Sequence, residues 1–103
     1  MANISLSSNA PSVNGFPQVN ADGSSTHTIT IQKQDNGNNV SGSEALYVTI
    51  AVGAIVVSNK MPNLANGQAT INIGPTTLSQ TTVIEVSDQA GVVSSGSIVI
   101  RFF

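Results

Sequence analysis

Thr28-Ile29-Thr30-Ile31-Gln32 alternates polar and apolar side chains one for one. Successive side chains of an extended chain point to opposite faces, so Ile29 and Ile31 share one face of a strand. The same period recurs along the chain. Leu46, Val48 and Ile50 stand opposite Tyr47 and Thr49, and Ala69, Ile71 and Ile73 stand opposite Thr70 and Asn72. Ile84 and Val86 flank an outward Glu85, while Ile98, Ile100 and Phe102 alternate with the outward Ser97 and Arg101. No stretch carries a convincing apolar period of 3.6, so no long helix is expected.

Turn chemistry separates these runs. Asp22-Gly23 precedes the first, Asp35-Asn36-Gly37-Asn38-Asn39 follows it, and Asn66-Gly67 introduces the Ala69 run, which Gly74-Pro75 ends. Asp88-Gln89-Ala90-Gly91 divides the last two. Asn-Gly and Asp-Gly supply the positive φ that tight turns need. Short strands at this spacing predict an all-β immunoglobulin-like sandwich of about seven antiparallel strands, a pattern shared by small barrels. Residues 1–20 are looser. Ile4 and Leu6 suit an edge strand, and Pro11 and Pro17 suit edges or loops. The expected division is an N-terminal arm or edge strand over 1–20 and the sandwich over 21–103. Ala45 to Val57 is apolar but too short for the ~20 residues of a membrane helix, and two strands meeting near Gly53 fit it better.

Only 8% of the 103 residues are charged and the net charge is −2. Lys33, Lys60 and Arg101 are the only bases and are scattered, which argues against phosphate neutralisation on a nucleic acid and against a basic membrane-surface helix. There is no Cys, so disulfides say nothing about redox compartment. Met1-Ala2-Asn3-Ile4-Ser5-Leu6 has no basic n-region and no apolar h-region. The expectation is a chain that assembles in the cytoplasm, or a module excised from a longer protein.

The turns and strands together resemble a known family. Ala21-Asp22-Gly23-Ser24-Ser25, Thr28-Ile29-Thr30-Ile31, Asp35-Asn36-Gly37-Asn38, Val40-Ser41-Gly42, Leu46 to Ile50 and Asn66-Gly67-Gln68-Ala69-Thr70-Ile71 resemble a bacterial Ig-like domain of the invasin/intimin type. The resemblance covers residues 20–102 and rests on turn and core positions, so it speaks to fold more than to function. It implies a rigid spacer or adhesive module with no catalytic site. A freestanding domain of this size also resembles, in architecture, the accessory proteins of tailed-phage particles.

Candidate chemistry is sparse. His27 is the sole histidine, so a His/Cys zinc site is not expected, and no G-x-S-x-G elbow accompanies it. It is read as a solvent-facing residue at a strand start. Asp35-Asn36-Gly37-Asn38-Asn39 has oxygen ligands for calcium, yet it lacks the spacing and distal Glu of an EF-hand, and a hairpin needs the same residues. Lys33 shares the parity of Ile29 and Ile31. Surface Ig-like domains sometimes join a buried Lys to an Asn with a carboxylate assisting, but parity turns Asn72 and Glu85 outward. The expectation is therefore a packed stem with its amine in water. Asn3-Ile4-Ser5 and Asn39-Val40-Ser41 match the N-glycosylation pattern and are read as chance matches.

Phe16, Tyr47 and Phe103 are the candidate interface residues, because aromatic side chains are enriched among interface anchors. No catalytic, metal or cofactor residue is assigned. The reading is a non-enzymatic structural or binding module: a virion component such as a capsid decoration protein, bound to a major capsid or other virion protein and able to self-associate there. The alternative is a module of a secreted invasin/intimin-like adhesin at the bacterial cell surface. No nucleic acid, membrane insertion or cofactor is expected.

Overall fold

The computed structural model describes residues 2–88 and 95–103. They form ten strand segments and no helix: β1 (Ala2–Ser8), β2 (Ser12–Val13), β3 (Phe16–Val19), β4 (His27–Asp35), β5 (Asn38–Asn39), β6 (Ser43–Val52), β7 (Asn63–Ala65), β8 (Gln68–Ile73), β9 (Gln80–Asp88) and β10 (Ser95–Phe102). The hydrogen-bonded order is β1-β4-β8-β7-β6-β9-β10-β3-β2, with β5 beside β4. It folds into two layers because β6 serves both. Ser43 to Ala45 pair with β7, whereas Leu46 to Val52 pair with β9. One sheet is thus β1-β4-β8-β7 and the other β6-β9-β10-β3, the layer pattern of an Ig-like sandwich. β3 runs parallel to β10, with Gln18 beside Arg101 and Val19 beside Phe102, so the strands are not all antiparallel.

The alternating residues meet between the sheets. Ile4, Ile29, Ile31, Leu64, Ile71 and Ile73 come from the first, and Leu46, Val48, Ile84, Val86, Ile100 and Phe102 from the second. Each large apolar side chain fully buried there contributes roughly 1.5–3 kcal/mol. Three Asn-Gly pairs close two-residue hairpins. Asn14-Gly15, Asn36-Gly37 and Asn66-Gly67 all have positive φ at both positions, the geometry that matches strand twist. The 35–39 segment is therefore a hairpin.

The stretch around Gly53 departs from expectation. β6 runs to Val52, and Gly53 begins a loop rather than a second strand, with Val57 making one isolated bridge to Ile73. Gly53 has a φ of 104°, and a Cβ there would lie 2.8 Å from the Thr82 hydroxyl, so the position suits glycine. Of the expected turn at 88–91, Asp88 ends β9 and residues 89–91 lie outside the described residues.

Candidate functional site

The three aromatic candidates do not converge. Tyr47 projects outward from β6, 38% exposed, opposite Ser87 of β9. Phe16, 41% exposed, lies on β3 opposite Val13 of β2. Phe103 follows β10, and its ring lies 4.3 Å from the Arg101 guanidinium carbon. Between them runs a feature that the aromatic reading missed. Val52 faces Val83, and Val83 faces Val99, across β6, β9 and β10. β3 lies beside β10, with Gln18 at Arg101, and carries Phe16 opposite Val13 of β2. An apolar row of Val52, Val83 and Val99 thus crosses the outer face of the second sheet, and Phe16 and Val13 add apolar side chains on the strands that follow. The signal was present as the doublets Val83-Ile84 and Val99-Ile100, where the outward position is also apolar. Contiguous apolar surface of this kind suits protein contact.

The inner face holds ionisable side chains at both ends of β4. His27 is completely buried, which overturns its reading as a solvent-facing residue. It shares the parity of Ile29 and Ile31 and is the first inward residue of β4. Its Nε2 lies 3.0 Å from the Arg101 carbonyl oxygen and its Nδ1 lies 2.7 Å from Ser8 Oγ. A carbonyl cannot donate, so Nε2 carries the proton and Nδ1 accepts from the Ser8 hydroxyl. The ring meets Phe102 edge-on at 5.0 Å. Burial pushes the imidazole pKa below its ordinary value, with the Arg101 carbonyl pulling the other way. Ser8 and His27 are a donor–acceptor pair, but the third group is a backbone carbonyl.

At the other end, Lys33 is 8% exposed. Its Nζ lies 2.6 Å from Glu44 Oε1 and 3.7 Å from Asp88 Oδ2, so its amine rests on carboxylates and not in water. Asp88 is 2% exposed. Lys33 comes from the first sheet and Asp88 from the second, while Glu44 sits on β6 where that strand crosses between them. Both carboxylates have inward parity, Glu44 with Leu46 and Val48, Asp88 with Ile84 and Val86. Asn72 is exposed on the outer face and accepts from the Thr28 hydroxyl, and Glu85 is exposed as well.

In the loop before β4, Asp22 Oδ1 accepts from the Ser24 and Ser25 backbone N–H groups at 2.9 and 2.8 Å. These bonds lower its pKa to about 2. No group of three or more His, Asp or Glu suited to a metal occurs among the described residues.

No protein-family model matches the sequence, and no curated protein matches it. Solved structures do match in fold. The D00-D0 domain of intimin is similar over 97% of this chain and 45% of that chain, at 19% identity and a TM-score of 0.75. The D0-D1 domain of intimin is similar over 97% and 47%, at 18% identity and a TM-score of 0.72. A C-terminal 282-residue fragment of intimin, in complex with the intimin-binding domain of the translocated intimin receptor, is similar over 94% and 31%, at 16% identity and a TM-score of 0.70. The chain thus has the Ig-like fold of the intimin domains and spans less than half the length of the structures it matches. None of these likenesses bears on a virion or a capsid.

Proposed function

We propose that this domain is a non-enzymatic Ig-like module of a bacterial surface adhesin, set in series with other domains and offering the outer face of its second sheet to a protein partner. The observation that carries this reading is that the first and last strands open at opposite ends of the sandwich. Ala2 pairs with Asp35 at one end of β4, and Arg101 bonds to His27 at the other. The start of β1 and the end of β10 therefore lie at opposite poles of the sandwich, a geometry that suits a unit in a string. The likeness to intimin supports the same arrangement, because two of the matched structures each name two domains and this chain covers a little under half of each. The third holds intimin with a protein receptor domain, which supports a protein as the class of partner. The surface on offer is the apolar row from Val52 to Val13.

An antibody raised against the folded domain tests the location. Labelling of intact producing cells is the expected result. Labelling that requires permeabilisation, or that appears on purified virus particles instead, overturns the reading.

A further inference from the structure

The Lys33 cluster brings one amine and two carboxylates together from three strands. Lys33 Nζ sits between two carboxylates from different strands, 2.6 Å from Glu44 and 3.7 Å from Asp88. The side chains of Lys33 and Asp88 are only 10% and 3% exposed, whereas that of Glu44 is 33% exposed. An amine and a buried acyl group are thus fixed near contact distance, and a second carboxylate with access to solvent touches the amine. Holding two reactants in this way replaces a bimolecular encounter by a unimolecular one, with effective concentrations on the order of 10⁵ M or more in well-oriented systems. Charge adds a driving force, because condensation turns a buried ammonium and carboxylate into a neutral amide.

We propose that Lys33 and Asp88 condense into an intramolecular amide, with Glu44 as the proton carrier. Glu44 takes one proton from the Lys33 ammonium and passes it to a carboxyl oxygen of Asp88. The freed Nζ lone pair attacks Asp88 Cγ and forms the C–N bond. Glu44 takes a second proton from the nitrogen and delivers it to the same oxygen. The C–O bond breaks and that oxygen leaves as water. Three N–H protons become one amide proton and the two of the water, and Glu44 ends as the carboxylate it began as. No oxidant, metal or external reactant takes part. The product covalently joins β4 of the first sheet to β9 of the second.

Mass spectrometry of the folded, purified chain after incubation at neutral pH tests this. The expected intact mass is one water below that of the sequence, with proteolysis giving a branched peptide that carries both Lys33 and Asp88. Lys33→Arg and Glu44→Gln are expected to read the full mass of their sequences. Glu44→Gln is the informative variant, because it keeps both reacting groups and loses the proton carrier. A folded wild-type chain at full mass overturns the proposal. So does a lost water with Lys33 and Asp88 recovered in separate peptides, because that water came from elsewhere. An undiminished mass loss in Glu44→Gln overturns the role of Glu44.

Discussion

His27 Nε2 donates to the Arg101 carbonyl across 3.0 Å, so a side chain of the first sheet is bonded to the last strand of the second. The same ring accepts from Ser8 on β1 and packs edge-on against Phe102. Three strands therefore meet at one imidazole. His27→Ala removes the ring, opens a cavity and leaves the Arg101 carbonyl and the Ser8 hydroxyl without this partner. The expected loss is about 2–4 kcal/mol of folding stability, read as a lower urea midpoint with unchanged slope.

The pH dependence follows from the same residue. The folded imidazole titrates below the 6.5 of an unfolded chain because burial disfavours its charged form. As pH falls through 6.5, the unfolded state binds a proton that the folded state does not, so stability falls with pH. The contribution is complete above 6.5 and declines toward the lower folded value. Asp22 adds a second window, present above 3.8 and lost as pH falls through about 2. Thermal midpoints measured against pH check both. His27→Gln flattens the upper window and Asp22→Asn the lower. A wild-type curve that stays level below 6.5 contradicts a neutral buried ring.

Gly96 lies where β1 packs tightly on β10. A Cβ there would collide with the Ile4 carbonyl oxygen and lie 2.9 Å from Leu6 Cδ1. Relief requires moving β1, whose residues are laddered to β4 along their whole length. Gly96→Ala is expected to cost about 1–3 kcal/mol. Ser97→Ala, exposed on the outer face, stays within about 0.5 kcal/mol. Chemical denaturation of the pair gives the comparison.

The outer apolar row is testable without a partner. Val52→Ser and Phe16→Ser remove side chains that are 53% and 41% exposed. Each is expected to change stability by about 0.5 kcal/mol or less while shortening retention on a hydrophobic column. Unchanged retention in the double variant argues against this face as a binding surface.

Alternation made the long strands β4, β6, β8, β9 and β10 legible, because a strand with one dry face and one wet face must write that pattern into its sequence. Short pieces such as β7 and β3 carry too few residues to show a period. The candidate site was half legible for a related reason. Parity correctly turned Lys33 inward and Asn72 and Glu85 outward. The same rule extends to His27, Glu44 and Asp88, each two residues beyond an inward apolar side chain. Their polarity and terminal positions argue for solvent, and only the crossing of β6 from one sheet to the other brings Glu44 within reach of Lys33. The apolar row depends on register between strands distant in sequence, which periodicity within one strand does not contain.

The parallel pairing of β3 with β10 acquires a mechanical meaning once the start of β1 and the end of β10 lie at opposite poles. A pull applied between those ends draws β1 and β3 one way and β10 the other, along the strand axes. The β1–β4 and β3–β10 ladders are then loaded in shear, and their hydrogen bonds share the force instead of opening one at a time. Rupture has to break several bonds together, so resistance to traction comes from strand direction as well as from the number of bonds.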